Sequence, residues 1–342
     1  MVADANMGGT ESVHLAIFVE TPKVQAGYFV TGFIYFYLRS SIRAKSLQLK
    51  LAGKQECQWT DNFSTKQIGK RTIVKQLIPI CEFQNEKVAA GQHKFPFRIA
   101  TPDTLPGAFN YVQGTTTAQI RYSVTASMQS SHFQVRRAKM PIAVSGRMTE
   151  PIVSLQATAT VYMCSWWCFR SAPVRVNVQI NKSAYVPGEL AYVTAEIDNS
   201  FSGLDVIGLK GTLYRTIRLR NKSGVYRVLK EIINNGSVNR RVPAGQVALG
   251  AHALHLALAV PGSPEISPSL REHHIECLYT ITVEAVLDSQ NRHCAQPVRV
   301  TRIVTVYEVQ MPIGMPLLPA AGWDPAILPL VHTLSSSDYQ YA

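Results

Sequence analysis

The residues of this 342-residue chain that could support chemistry include a few histidines and cysteines. His273, His274 and Cys277 form one candidate group of zinc ligands, and His293 with Cys294 forms another. If residues 288–292 form a hairpin loop, Cys277 lies about 26 Å from the second group, at ~3.3 Å per strand residue. Zinc takes four ligands, which usually come as two close pairs. We therefore predict no metal site.

Motifs of known catalytic sites are missing from the sequence. It contains no Gly-x-Ser-x-Gly elbow, no Walker phosphate loop, no Gly-x-Gly-x-x-Gly and no His-Glu-x-x-His. No acid, base and nucleophile can be assembled into one constellation. We therefore expect a protein that binds other molecules, has no enzymatic activity and uses no cofactor.

Basic residues are the stronger signal, because the net charge is +12 and lies mostly in the first half. Residues 1–150 contain 18 basic and 9 acidic residues. Such clusters are either solvated surfaces or contacts for the phosphates of a cargo tail or an anionic lipid. Nucleic acid is disfavoured because no aromatic residues are interleaved with the cations. The candidate contacts are Lys66, Lys70, Arg71, Lys75, Arg136, Arg137, Lys139, Arg218 and Arg220.

Cys164 and Cys168 flank two tryptophans and form the only close cysteine pair. The aromatic residues here either fill a groove between domains, or the two cysteines are S-acylated and touch a membrane. Residues 1–11 do not resemble a signal peptide, so we expect a cytoplasmic protein with reduced thiols.

The elements that must position these residues are strands, because hydrophobic residues alternate with period two. Leu47, Leu49 and Leu51 share one face of such a segment, as do Val174 and Val176 of another. Many short alternating segments separated by Gly, Pro and Asn are typical of β-sandwiches.

The strand pattern occurs twice. Residues 13–34 and 174–195 both read as strand, tight turn, strand, with Gly27 and Gly188 at equivalent positions. Pro187 and Gly188 suit the two central positions of a type II turn. A repeat this long indicates tandem domains. We predict a flexible N-terminus at 1–11, a β-sandwich at 12–155, a linker or strand at 156–172, a second sandwich at 173–312 and a Pro-rich extended tail at 313–342.

Short motifs also follow one another in a fixed order over residues 12–314. They are Gly91-Gln92-His93-Lys94-Phe95-Pro96-Phe97, Leu105-Pro106-Gly107-Ala108-Phe109, Ile120-Arg121-Tyr122-Ser123-Val124, Tyr185-Val186-Pro187-Gly188-Glu189, Ile197-Asp198-Asn199-Ser200 and Met311-Pro312-Ile313-Gly314. Their order and spacing resemble the arrestin family, and within it the α-arrestins, or arrestin domain-containing proteins. The resemblance implies an all-β fold of two tandem antiparallel, immunoglobulin-like sandwiches.

The resemblance further implies a cytosolic adaptor at the plasma membrane or endosomes. Such an adaptor binds the cytoplasmic tails of membrane proteins and recruits trafficking or ubiquitination machinery. This sequence departs from the family pattern in three ways. Residues 13–20 lack the paired lysines that sense phosphate in receptor-binding arrestins, and no Pro-Pro-x-Tyr motif is present to capture a ubiquitin ligase directly. No cysteine lies at 246–254, where the thioredoxin-interacting branch has one.

Two other functions remain open from the sequence. One is a stable subunit of a sorting coat, like the arrestin-fold component of retromer. The other is a structural tandem β-sandwich that acts outside the cytosol.

Overall fold

The chain forms two compact units in a computed structural model. The structure describes residues 3–4, 13–130, 136–147, 151–164, 170–262, 266–288, 297–307 and 330–333. The first unit comprises Met1–Arg147 and Gln310–Ala342, and the second comprises Met148–Val309. The described residues form strands and short 3-10 turns, at Gln84–Glu86 and Gly250–His252, without an α-helix.

The described residues of the first unit form twelve strands before the chain enters the second unit. In chain order they are β1 (Ala3–Asp4), β2 (Val13–Val19), β3 (Lys23–Gln25), β4 (Phe29–Leu38), β5 (Ile42–Arg43), β6 (Ser46–Thr60), β7 (Lys66–Glu82), β8 (Lys87–Val88), β9 (Gly91–Ala100), β10 (Phe109–Gln113), β11 (Thr116–Gln129) and β12 (Arg136–Ser145).

In the second unit the residues that the structure describes form eleven strands, and one further described strand follows in the tail. They are β13 (Leu155–Cys164), β14 (Arg170–Ile180), β15 (Ala184–Tyr185), β16 (Leu190–Asp198), β17 (Val206–Arg220), β18 (Tyr226–Val238), β19 (Val247–Ala248), β20 (Leu254–Ala259), β21 (Leu270–Arg271), β22 (Ile275–Leu287), β23 (Val298–Val306) and β24 (Leu330–Thr333). The segment 156–172, expected to be a linker or strand, thus contains most of β13 and the start of β14.

Each unit is a sandwich of two sheets, which we call the A sheet and the B sheet. In the first unit the A sheet has the order β1-β2-β4-β9-β24, and the B sheet has the order β3-β12-β11-β6-β7, with β10 also paired to β11. In the second unit the A sheet is β13-β14-β16-β19 with β20 on β16, and the B sheet is β15-β23-β22-β17-β18 with β21 on β22. A small sheet pairs β5 with β8.

The two B sheets have the same topology. β15, β23, β22, β17 and β18 follow the order of β3, β12, β11, β6 and β7, and the first pair is parallel in both units. Tyr122 of β11 and Tyr279 of β22 are both buried, and each hydroxyl donates a 2.7 Å hydrogen bond to the carbonyl of a preceding loop residue, Pro106 or Ser267. This shared contact aligns the two central strands residue by residue, which confirms the predicted repeat.

The turns that open the two units are also alike. Tyr28 N–H donates to the carbonyl of Gln25, and Glu189 N–H donates to that of Val186. Gly27 and Gly188 occupy the third position of these turns, with φ of +87° and +93°. A positive φ at this position is the mark of a type II turn and favours glycine.

The hydrophobic cores lie between the two sheets of each unit. Strand alternation points one row of side chains inward from every strand, which buries residues such as Ile34, Leu49 and Val124 in the first unit and Val193 and Tyr279 in the second. The opposite row of each strand faces outward, so its composition is not dictated by packing.

The tail departs from the expectation that it would be extended chain outside a sheet. β24 adds in parallel to β9, with Leu330 opposite Gln92 and Thr333 opposite Lys94. The A sheet of the first unit therefore ends on a strand from the far end of the chain.

A cationic sheet face as the candidate functional site

The outward face of the first unit's B sheet is strongly basic. On β6, Leu47, Leu49 and Leu51 are buried, so Lys50 and Lys54 lie on the opposite face. The same alternation and the strand register place six further cations on this face. We call it the cationic face; its members are Lys50, Lys54, Lys66, Lys70, Lys75, Arg121, Arg137 and Lys139.

Most of the cations predicted from the first half of the sequence meet on this face, although they come from two different strands. Lys66, Lys70 and Lys75 belong to β7, and Arg137 and Lys139 belong to β12. The structure does not bring Arg71 to it, because Arg71 lies opposite the inward-facing Gln55. The Arg136 side chain lies outside the described residues.

The sequence prediction missed three members of the face, Lys50, Lys54 and Arg121. They are isolated in the sequence and so form no visible cluster. In the fold, Lys54 and Arg121 are directly opposite one another on neighbouring strands. Period-two alternation in the sequence predicts which face of β6 or β11 each of these residues occupies. It does not predict the register that pairs the two strands.

Acidic residues do little to neutralise the cationic face. Among the described residues of its strands, Glu56 lies on this face and Glu82 lies at its end. Glu56 forms a 2.7 Å ion pair with Lys70, its cross-strand neighbour. Like charges directly opposite one another destabilise a sheet, so the pairing of Lys54 with Arg121 carries an electrostatic cost.

A cavity of about 850 Å³ opens on this face. It lies where β11 passes from one neighbour to the next: Ile120 pairs with Phe109 of β10, Tyr122 pairs with Ile142 of β12, and Arg121 lies between them. The cavity walls include Lys54, Glu56, Phe109, Asn110, Gln119, Arg121, Ser123, Lys139 and Pro141.

The second unit provides an internal comparison, because its B sheet has the same topology. When the two units are aligned on the two buried tyrosines, Leu278 is equivalent to Arg121. Leu278 pairs with Thr216, which is therefore equivalent to Lys54. The neutral row Thr212, Thr282 and Thr301 replaces the row Lys50, Thr125 and Lys139.

Three cations of the second unit's outward face have a neighbour that offsets their charge or stacks against it. Arg218 forms a 3.2 Å ion pair with Glu276. Arg299 forms a 3.0 Å ion pair with Glu284. The guanidinium of Arg220 lies 5.5 Å from the ring centre of Tyr226. The predicted contacts Arg218 and Arg220 therefore sit in local pairs, whereas the eight cations of the cationic face belong to the first unit.

The cysteines described in the structure are buried or half-buried thiols. Burial raises the pKa of Cys277 to about 12 and that of Cys81 to about 11, so both thiols remain protonated at neutral pH. Cys164 ends β13 and its side chain, like all of Cys168, lies outside the described residues. In the part of the chain that the structure describes, no three His, Cys, Asp or Glu side chains converge as metal ligands.

The described residues include no helix of the length and hydrophobicity needed to span a membrane. The described residues form a tandem β-sandwich in which the outward face of the first unit's B sheet is basic, a form suited to binding.

The chain belongs to the arrestin family. Residues 20–149 match the family model of the arrestin (or S-antigen) N-terminal domain, and residues 170–311 match that of the C-terminal domain. The two matches fall on the two sandwiches, and they confirm the resemblance that the sequence motifs indicated.

Curated relatives are arrestin domain-containing proteins. Human arrestin domain-containing protein 5 is 22% identical over 191 residues, which cover 52% of this chain and 54% of that protein. Mouse arrestin domain-containing protein 4 is 28% identical over 149 residues, covering 42% of this chain and 34% of that protein. The aligned part of the chain thus spans about half or less of these relatives' lengths.

Proposed function

We propose that this protein is a non-enzymatic, arrestin-like adaptor. It links the cytoplasmic tails of membrane cargo proteins to endocytic or endosomal trafficking, or to ubiquitination machinery. It acts in the cytoplasm, peripheral to the plasma membrane or endosomes. Membership of the arrestin family supports the adaptor role, and the cationic face supports an anionic partner surface.

The observation that carries this proposal is the contrast between the two B sheets. The fold tolerates neutral residues and ion pairs at the outward positions of the second unit, so it does not itself require the cations of the first. A concentrated positive field raises the local concentration of anionic partners and accelerates their association. Each cation near an acidic leaflet contributes about 1 kcal/mol.

Contact with a ubiquitin ligase is indirect in this proposal, because the sequence lacks the Pro-Pro-x-Tyr motif. Short segments of a cargo or coat component can instead add to a sheet edge, where the backbone supplies hydrogen bonds. β18 ends the B sheet of the second unit and is 13 residues long, so it offers an extended edge.

Proximity labelling in cells tests the adaptor role. We expect the wild-type protein to enrich plasma-membrane or endosomal proteins, and Lys75→Glu/Arg137→Glu to lose that enrichment. The matched control is Lys222→Glu/Arg271→Glu, which reverses two exposed cations of the second unit and should behave as wild type. A list dominated by ribosomal or nuclear proteins, or equal enrichment by both variants, would contradict the proposal.

S-acylation of Cys164 and Cys168 remains a separate proposal, based on their position beside Trp166 and Trp167. A clickable fatty acid should label the wild-type protein and leave Cys164→Ser/Cys168→Ser unlabelled. Absence of label on the wild type would remove the proposal without affecting the adaptor role.

A further inference from the structure

The outer strand of the second unit's B sheet, β18, has an open side with no neighbouring strand among the described residues. Its hairpin with β17 is closed by the N–H of Asn221, which donates to the carbonyl of Val225. Hydrogen-bonded and non-hydrogen-bonded pairs alternate along an antiparallel ladder, so Leu229 forms a hydrogen-bonded pair with Ile217. The open side of β18 therefore carries the N–H and C=O groups of Tyr226, Val228, Lys230 and Ile232.

The side chains of the same four residues make this edge largely apolar. Tyr226, Val228 and Ile232 are 55%, 56% and 59% exposed. The ammonium of Lys230 lies 4.1 Å from the ring centre of Tyr214 on β17, so its charge is directed away from the open side. The edge thus combines open backbone groups with exposed apolar side chains, and such an edge pairs readily with another strand.

The equivalent edge of the first unit is protected against such pairing. β7 carries Lys66, Lys70 and Lys75 on its outward face, and Pro79 of the same strand has no backbone N–H. Lysine and proline on an edge strand both prevent the addition of a further strand. The two B sheets have one topology, so the fold permits a protected edge at this position and β18 does not have one.

Charge decides how two copies of β18 can pair with each other. Two-fold antiparallel pairing places one residue opposite itself at the centre. Centres at Arg227, Lys230 or Glu231 would set like charges against each other, which destabilises a sheet. A centre at Leu229 instead sets Arg227 opposite Glu231, and the two-fold symmetry forms this pair of opposite charges twice.

The regular part of β18 has the same centre. It begins at Tyr226, directly after the hairpin turn, and ends at Ile232, where a shift in the β17–β18 register follows. Leu229 is the middle residue of this seven-residue stretch. In this register Tyr226 lies opposite Ile232 of the second copy, and Val228 lies opposite Lys230. All four have their backbone groups on the open side, so these two pairs are the hydrogen-bonded ones.

The distribution of net charge also favours contact through this part of the chain. Subtracting the 18 basic and 9 acidic residues of residues 1–150 from the totals of 34 and 22 leaves 16 and 13 for residues 151–342. Two copies that meet at β18 therefore approach through their more nearly neutral half, where the repulsion between like net charges is smaller.

We propose that two copies of this chain pair through β18, antiparallel and centred on Leu229, so that their B sheets join into one continuous sheet. The inference goes beyond the proposed function, whose main support is the cationic face of the first unit. It names a second copy of the chain as the occupant of the β18 edge. A cargo or coat segment that adds to this edge then competes with dimerisation.

Sedimentation velocity of the full chain across micromolar concentrations tests the dimer. We expect the wild-type protein to shift reversibly from monomer to dimer as its concentration rises. Val228→Lys should weaken dimerisation about tenfold, because it sets a lysine against Lys230 of the second copy at two symmetric places. The matched control is Ile303→Lys, which adds the same charge on β23 of the same sheet, at a residue that is 51% exposed. It should dimerise as the wild type does.

Disulfide cross-linking tests the register. In the proposed dimer Leu229 lies opposite itself in a non-hydrogen-bonded pair, whose Cα atoms are about 4.5 Å apart and within reach of a disulfide. Leu229→Cys should give a covalent dimer on mild oxidation, whereas Arg227→Cys, which lies opposite Glu231, should not. The wild-type chain measures the background from its own cysteines.

A second edge variant guards against loss of folding, which the thermal midpoint of each variant reports. Val228→Pro removes an N–H on the open side and leaves the hydrogen bonds between β17 and β18 in place. It should weaken the dimer as Val228→Lys does.

The outcomes separate the dimer from the proposed function. A wild-type chain that stays monomeric across this range overturns the dimer and leaves the adaptor role to proximity labelling. A dimer that both Val228→Lys and Val228→Pro leave intact is formed elsewhere and overturns pairing through β18. Cross-linking of Arg227→Cys in preference to Leu229→Cys overturns the proposed register.

Discussion

The two opening turns offer a matched test of the repeat, because equivalent glycines have different surroundings. At Gly188, an added methyl group would meet nothing within 4 Å, whereas at Gly27 it would lie 3.3 Å from Cβ of Asp103. Both residues have a positive φ. The perturbation is Gly→Ala at each position in turn, with Gly203→Ala as the control, since Gly203 has open space and no positive φ.

The expected changes in the free energy of unfolding follow from the positive φ, which both glycines have, and from the close contact with Asp103, which only Gly27 has. A positive φ costs an L-residue about 1–2 kcal/mol, and restriction of the unfolded chain by alanine returns about 0.4–1 kcal/mol. Gly188→Ala should therefore lower the free energy of unfolding by about 1 kcal/mol. Gly27→Ala should lower it by about 2 kcal/mol, because the contact with Asp103 must also be relieved.

Urea unfolding with hydrogen exchange read out by mass spectrometry distinguishes the two units. Gly27→Ala should lower protection in the first unit and Gly188→Ala in the second, each as a shift in midpoint without a change in slope. Gly203→Ala should be neutral or slightly stabilising. Equal costs at Gly27 and Gly188, or a cost at Gly203 as large as either, would refute the reasoning.

Three further predictions concern stability and thiol reactivity. Tyr122→Phe and Tyr279→Phe should each lower the free energy of unfolding of their own unit by about 1–2 kcal/mol, measured by urea titration, since each leaves a carbonyl without its hydrogen bond. Backbone donation from Ala244, with Arg241, lowers the pKa of Asp205, so its stabilising contribution is present above about pH 4 and lost as pH falls through the lowered value. The thermal midpoint of Asp205→Asn should accordingly fall less between pH 7 and pH 3 than that of the wild type. Cys277 should react with iodoacetamide at pH 8 only after urea unfolds the protein, and a rate equal to that of the less buried Cys81 in the native state would contradict its burial.

The sequence was sufficient to predict the architecture. Period-two alternation on segments such as residues 47–51 requires one buried face whatever the partner strand, so strands and sandwiches follow from local pattern. The repeat followed from the equivalent glycines, because a turn with positive φ restricts residue type.

The candidate site could not be predicted in full because strand register is a long-range property. Lys75 lies five positions after Lys70, and an odd offset in a regular strand places two side chains on opposite faces. A register shift between Gly53 and Lys54 inserts an extra β7 residue and returns both lysines to one face. Arg71, which is next to Lys70 in the sequence, consequently lies on the other side. Nothing local in the sequence marks that shift or the pairing of Lys54 with Arg121.

The addition of β24 to β9 has a consequence for synthesis. The second unit is inserted, in the topological sense, between two parts of the first. On the ribosome, the domain that emerges first is therefore the last to be completed, and the edge of β9 stays open until β24 has been translated. The part of the first domain that is translated before the second unit must stay soluble until then. A stop codon between β23 and β24 would release a chain whose first domain lacks one edge strand, while the second domain keeps all of its described strands.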